Sequence, residues 1–221
     1  SVFGYNALEV GANTAFTGSV PDPRATTYDI LSAGYVVAYQ PLAQFEEGER
    51  PLTPIGHTDN VWVYERARSM PVARLVTGVE VIPDRDAAIA RVHQPDFDPA
   101  ATVILDQEPS CELGSAVETG TVNIAVRENG YWQLQTSSSQ SALLVLSETD
   151  YPGWQVTIDG QRADGLTAYT AVRAVCVPAG EHLVEWTFKP MSFVWGGGVS
   201  LLTLLLIGVA VLKNRTQINT G

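Results

Sequence analysis

The sequence predicts an α+β protein that is mainly β, with a mixed α/β N-terminal part, an antiparallel β-sandwich and one C-terminal transmembrane helix. Three observations lead to this prediction. After residue 120, short apolar runs recur roughly every ten residues, residues 85–93 carry one helical pattern, and residues 193–212 contain no charge. Alternation with one apolar face is typical of packed antiparallel sheets. An uncharged run of about 20 residues has the length needed to span a bilayer.

Residues 1–110 are predicted to form the mixed α/β part. Strands are expected at residues 34–39, 61–65 and 72–82, the last with a bend at Gly78. Residues 40–60 mix proline, glycine and acidic residues, which predicts a loop. Asp84 precedes an apolar stripe and can cap a helix that stops before Pro95. A strand then returns at residues 102–105.

Residues 111–190 are predicted to form the sandwich, of immunoglobulin-like or jelly-roll-like type. Six strands are expected, at residues 121–126, 131–136, 142–147, 155–158, 169–175 and 182–188. Val122, Ile124 and Val126 alternate with polar residues, and the first, third and fifth residues of the run 154–158 do the same. Residues 142–146 (ALLVL) are apolar throughout, which predicts a central strand covered on both faces.

The apolar run at residues 193–212 is predicted to be a transmembrane helix. Lys213 and Arg215 follow it directly, so the positive-inside rule places the tail, residues 213–221, in the cytoplasm and residues 1–192 outside. All 24 acidic residues and 11 of the 13 basic residues precede the run, which gives the outer part a net charge of −13. Such a surface excludes nucleic acid as a partner.

The N-terminal residues and the two cysteines of the outer part raise two further expectations. The first residues, SVFGYNALEV, have neither the basic nor the apolar segment of a signal peptide, so we expect membrane helices upstream of Ser1 in the same protein. Cys111 and Cys176 can pair in an oxidising compartment, or each can be buried separately as a small apolar residue. The sequence leaves both alternatives open.

A resemblance to a known family covers roughly residues 60–212. It is carried by residues 144–148 (LVLSE), 151–154 (YPGW), 159–160 (DG), 173–175 (RAV) and 177–182 (VPAGEH), followed by Trp186, Pro190 and the apolar run. In order and spacing these elements resemble the C-terminal end of the YfhO-type bacterial membrane proteins, of the GT-C glycosyltransferase-like class. The resemblance implies a multi-pass enzyme of the cell membrane that moves a sugar from a polyprenyl-phosphate carrier to a cell-envelope glycan or polymer.

Sugar binding is the site chemistry that the residues themselves favour. Tyr and Trp rings can stack on a pyranose face while Asp and Arg order its hydroxyls. Tyr151, Trp154, Asp159, Tyr169 and Arg173 lie on neighbouring predicted strands and are the candidates for such a patch. Parity with Val156 and Ile158 favours the alternative that Trp154 packs in the core.

No residue is predicted to be catalytic. The resemblance implies that the acidic catalytic residues lie in loops between upstream membrane helices, and His57, His93 and His182 lack the close partners of a zinc site. No metal or other cofactor is expected. The expected partners are the membrane, the upstream helices and a glycan or lipid-linked sugar. The alternative is a non-catalytic, membrane-anchored surface module that binds polysaccharide or a partner protein.

Overall fold

The computed structural model describes residue 16 and residues 22–115 and 120–218; in the last helix, the side chains of residues 193–194 and 209–218 are not described. The mainly β prediction is confirmed. Three helices lie in the described ranges: α1 (Thr26–Ile30), α2 (Arg85–Val92) and α3 (Met191–Ile218). Fourteen strands form three sheets: β1 (Tyr35–Ala38), β2 (Leu52–Thr58), β3 (Val61–Arg66), β4 (Ala73–Val76), β5 (Gly78–Val81), β6 (Thr102–Leu105), β7 (Thr121–Glu128), β8 (Tyr131–Ser138), β9 (Ala142–Thr149), β10 (Trp154–Ile158), β11 (Gln161–Ala163), β12 (Gly165–Ala168), β13 (Val172–Val177) and β14 (Gly180–Phe188).

The largest sheet has six strands in the order β4-β9-β13-β12-β6-β5. It therefore takes strands from both predicted parts, residues 1–110 and 111–190. The predicted single strand at residues 72–82 is two strands, β4 and β5, which lie at opposite edges of this sheet. The first residue of β5 is Gly78, and no residue with a side chain fits there, because its Cβ would lie 2.3 Å from the carbonyl oxygen of Ala101.

The second sheet has five antiparallel strands in the order β11-β10-β14-β8-β7 and packs face to face on the six-stranded sheet. Their shared core contains Trp132, Leu134, Val156, Val184 and Trp186 from the five-stranded sheet and alternate residues of β4, β9 and β13 from the other. The alternation predicted for β10 and β14 thus produces one buried face on each strand.

The other face of the six-stranded sheet is covered by α1, α2 and Phe16. Asp84 caps α2 by accepting a hydrogen bond from the backbone N–H of Ala87, as predicted. Residues 142–146 of β9 are completely buried because core lies on both sides of them, which confirms the prediction for this strand.

The predicted strand at residues 169–175 begins too early. Tyr169 and Thr170 have positive φ angles, 50° and 64°, and form the turn between β12 and β13. The side chain of Tyr169 is fully buried, and its hydroxyl donates to the carbonyl oxygen of Thr102 at 2.9 Å, with that of Pro99 at 3.2 Å. These bonds stabilise a backbone conformation that β propensity alone does not favour.

The three-stranded sheet, in the order β1-β3-β2, corrects a second prediction. Residues 52–58 were expected in a loop but form β2, paired with β3 across an irregularity between Pro54 and Gly56. The strand escaped prediction because it is an exposed edge strand, where proline is tolerated and apolar periodicity is weak. Asp29 and Arg66 anchor α1 beside this sheet through a buried ion pair of 2.7 Å.

A disulfide joins Cys111 to Cys176 on β13, with 6.2 Å between their Cα atoms. It ties the segment after β6 to the middle of the six-stranded sheet. Of the two alternatives left open by the sequence, the structure contains the bridge.

Helix α3 begins three residues after β14 and continues past residue 212 to Ile218. Every residue from 195 to 208 is exposed, including Leu204, 67% exposed, and Leu206, 62% exposed. Over the described residues, whose side chains in α3 are those of 191–192 and 195–208, no helix is long and apolar enough to cross a membrane.

Candidate functional site: a tryptophan pocket beside the C-terminal helix

A pocket of about 380 Å³ lies at the end of the sandwich from which α3 leaves. We call it the helix-proximal pocket. Two backbone hydrogen bonds fix its position: Phe188 donates to the carbonyl of Gly130 at 2.8 Å, and Lys189 donates to that of Gly153 at 2.7 Å. The turn between β7 and β8, the end of β9 and the start of β10 surround it; its lining residues are Arg127, Glu128, Asn129, Gly130, Trp132, Glu148 and Trp154.

A β-bulge turns Arg127 toward the pocket. The register between β7 and β8 shifts between Ile124 and Val126, so that Val126 lies opposite Gln133 and Arg127 lies opposite Trp132. A bulge adds one residue to a strand and reverses the faces of the residues that follow. The predicted alternation of Val122, Ile124 and Val126 is therefore wrong at Val126, and a basic residue takes the inward position.

Arg127 connects the two sheets at the mouth of the pocket. Its guanidinium lies 4.6 Å from the ring centroid of Trp132 and donates to Oε1 of Glu148 at 3.1 Å. Its side chain is 58% exposed and that of Glu148 is 34% exposed. An ion pair of this exposure contributes at most about 1 kcal/mol to stability. Its charged groups remain accessible to a ligand.

Trp154 forms the opposite wall and is supported from the core. Its ring centroid lies 5.3 Å from that of Phe188, and the guanidinium carbon of Arg173 lies 3.7 Å from the Trp154 centroid. The same guanidinium lies 5.2 Å from the ring of Trp186. Arg173 thus occupies one face of Trp154, and Phe188 packs against the same ring.

Arg173 is an unusual core residue because it is 1% exposed and charged. Its Nε and Nη1 have no hydrogen-bond partner among the described residues, and neither has Nε1 of Trp186. Burial lowers the pKa of Arg173 to about 10, while Glu148 and Asp150 act in the opposite direction. The side chain therefore remains protonated at neutral pH.

The pocket has the chemistry of a sugar site. The partly buried Trp154 and the edge of Trp132, which is 4% exposed and has the Arg127 guanidinium over its ring, contribute indole surface, and one guanidinium, two carboxylates and an amide supply hydrogen-bonding groups around them. Its volume falls within the range of about 300–1,000 Å³ that is usual for ligand clefts. In the described ranges, no group of three or more His, Cys, Asp or Glu residues could hold a metal ion.

A second and larger depression, of about 610 Å³, lies at the other end of the five-stranded sheet. We call it the distal cleft. Asp159 and His182 stand at its border, with 2.6 Å between Oδ2 and Nδ1. The hydrogen bond from the backbone N–H of Leu183 and the contact with His182 lower the pKa of Asp159, and the Asp159 carboxylate raises the pKa of His182.

The five residues proposed from the sequence for a sugar patch lie in separate places. Trp154 lines the helix-proximal pocket, Arg173 lies beneath it, and Tyr151 is 49% exposed beside Phe188, which contacts both Tyr151 and Trp154. Asp159 belongs to the distal cleft and Tyr169 to the core on the far side of the six-stranded sheet. They do not form a single patch.

Sequence reasoning missed Arg127, Trp132 and Glu148. The parity of Trp132 with Leu134 marked it as inward-facing, and this was the available signal. The bulge that reorients Arg127 depends on the pairing of β7 with β8, and the approach of Glu148 to Arg127 depends on the packing of one sheet on the other. Comparison of the chain with protein-family models, with curated proteins and with solved structures finds no match in any of the three.

Proposed function

We propose that this chain is the glycan-binding extracytoplasmic domain, with the final membrane helix, of a YfhO-type protein of the GT-C glycosyltransferase-like class. Within such a protein it would hold the glycan acceptor near the membrane, while the upstream helices carry out sugar transfer. The observation that carries the binding part is the helix-proximal pocket, with Trp132 and Trp154 as walls and the Arg127–Glu148 ion pair at its mouth.

The position of the pocket supports a ligand close to the membrane. Gly130 and Gly153 bond to the residues that lead into α3, so the pocket and the base of the helix are parts of one rigid corner. The apolar side chains of α3 are exposed on all sides of residues 195–208, and burying them in lipid would remove a large unfavourable contact with water. In this proposal residues 1–192 are extracytoplasmic and the C-terminus is cytoplasmic, in a bacterial cell membrane.

Binding is tested with the full chain in lipid nanodiscs, by titrating neutral, acidic and N-acetylated oligosaccharides and following tryptophan fluorescence. We expect saturable binding that Trp154→Ala abolishes and Arg127→Ala weakens. Trp62→Ala is the matched control, because Trp62 stacks on His57 in the three-stranded sheet, outside the pocket. Equal loss in the Trp62 and Trp154 variants, or no binding by the unaltered chain, would refute the sugar site.

Topology is a separate test. Single cysteines placed at Ser139, which is exposed, and at Asn219 in the C-terminal tail, in a Cys111→Ser/Cys176→Ser background, are labelled on intact cells with a membrane-impermeant maleimide. We expect labelling at Ser139 alone. Labelling at both positions favours a surface module that does not cross the membrane, and labelling at Asn219 alone reverses the orientation.

A further inference from the structure

The outer face of the five-stranded sheet is mainly polar across three neighbouring strands, β7, β8 and β14. Strand pairing places Thr121, Ser137 and Glu181 in one row and Asn123, Gln135 and Leu183 in the next. Solvent-facing sheets are ordinarily polar, so polarity alone indicates no ligand. What distinguishes this region is its shape: both rows line the distal cleft, a concave space of about 610 Å³.

Hydrogen bonds fix the polar groups of the cleft before any ligand arrives. The amide of Asn123 donates to Oε1 of Gln135 at 3.3 Å, which aligns two side-chain amides on neighbouring strands. On the other border, Oδ1 of Asp159 accepts a hydrogen bond from the backbone N–H of Leu183 at 2.8 Å, and Oδ2 of Asp159 is hydrogen-bonded to Nδ1 of His182. Preorganised groups lose little conformational freedom on binding.

The cleft offers amides, hydroxyls and the carboxylates of Asp159 and Glu181, and it has no net positive charge. Its described lining includes no Lys or Arg, and its only possible cation, His182, is neutralised by Asp159. A phosphate or a polyanion would therefore find no counter-charge there. An uncharged ligand with many hydroxyl or acylamino groups matches these donors and acceptors.

We propose that the distal cleft is a second binding site, for a segment of an uncharged, polyhydroxylated polymer such as a neutral glycan. Three strands, β7, β8 and β14, and Asp159 at the end of β10 line it, which gives a width of about 14 Å at the usual strand spacing. The helix-proximal pocket lies about 20 Å away along β7, since six residues separate Thr121 from Arg127. The two sites lie on opposite faces of the five-stranded sheet, because Arg127 and Trp132 face inward whereas Asn123 and Gln135 face outward, so each site is expected to bind on its own.

The test follows the side-chain amide NMR signals of Asn123 and Gln135 in the full chain, in micelles, during titration with a neutral octasaccharide and with a disaccharide of the same sugar. We expect both signals to shift with the octasaccharide, and Gln135→Ala to weaken octasaccharide binding about tenfold, as expected for a lost pair of hydrogen bonds. Gln155→Ala is the matched control, because Gln155 lies on the same face of the sheet but outside the cleft.

The two sites are separated by their variants. Trp154→Ala removes the fluorescence response of the helix-proximal pocket and leaves the amide shifts of the distal cleft in place. Failure of the pocket alone therefore leaves this proposal standing. Unshifted Asn123 and Gln135 signals at saturating octasaccharide, or equal affinities of the Gln135→Ala and Gln155→Ala variants, would overturn it.

Discussion

Replacing Arg173 by methionine tests how a charge is tolerated between the sheets. Lowering the pKa of Arg173 to about 10 corresponds to roughly 3 kcal/mol against the charged form, at about 1.4 kcal/mol for each pKa unit. Against this cost stand cation–π contacts with Trp154 and Trp186, each contributing about 1–2 kcal/mol in a desolvated setting. The two effects nearly cancel. Methionine fills a similar volume without charge, so we expect Arg173→Met to change the free energy of unfolding by less than about 1 kcal/mol.

The assay is urea unfolding of the full chain in micelles, followed by tryptophan fluorescence and by far-UV circular dichroism. Arg74→Met is the matched control. Arg74 is likewise buried and has two nitrogens without partners among the described residues, but it donates to Oγ of Ser147 at 3.0 Å. We expect the control to be the more destabilised by about 1 kcal/mol. A loss above about 3 kcal/mol in Arg173→Met would refute the reasoning, because it would mean that the charge has a bound counter-ion.

Three further perturbations have defined outcomes. Replacing Cys111 and Cys176 by serine opens a loop with a sequence separation of 65 and should lower the free energy of unfolding by roughly 4 kcal/mol by the chain-entropy relation. Unfolding with and without reductant measures this, and equal stability would show that the bridge contributes nothing. The Asp159 carboxylate should raise the pKa of His182, as measured by NMR, so the stabilisation from this pair is complete below about pH 6.5 and is lost as the pH rises through the raised pKa. An unchanged His182 pKa in the Asp159→Asn variant would contradict this. Gly153→Ala should lower the melting temperature, since φ is +117° and a Cβ would lie 3.0 Å from Phe188; the refuting result is an unaltered transition.

Strand periodicity predicted the strands of the sandwich well where each strand has one solvent-exposed face and one buried face. The alternation in β10 and β14 and the unbroken apolar run in β9 follow directly from what each strand contacts. Local signals also located α2, because a capping Asp and an apolar stripe act within a few residues. Such features depend on neighbours that are near in the chain.

Apart from β2, which escaped prediction because an exposed edge strand has little apolar periodicity, the failures involve contacts between distant segments. The chain breaks between β4 and β5 because the two strands lie at opposite edges of the six-stranded sheet. The positive φ angles of Tyr169 and Thr170 are stabilised by packing of Tyr169 against residues some 70 positions earlier. The bulge in β7 belongs to the same class. Since Arg127 reaches the pocket only through that bulge, most of the site could not have been assembled from the sequence.

The arrangement of the six-stranded sheet also sets the order in which the chain can fold during synthesis. Strand β4 is buried at all four positions and, among the strands of residues 22–115 and 120–218, pairs only with β9, which begins about 70 residues later. At typical translation rates of about 5–20 residues per second, β4 waits several seconds without its partner. During that interval β4, which the fold buries although it contains Arg74, is unpaired and open to mispairing. Residues 73–76 are therefore the segment at which we expect a holding chaperone to bind until β9 emerges.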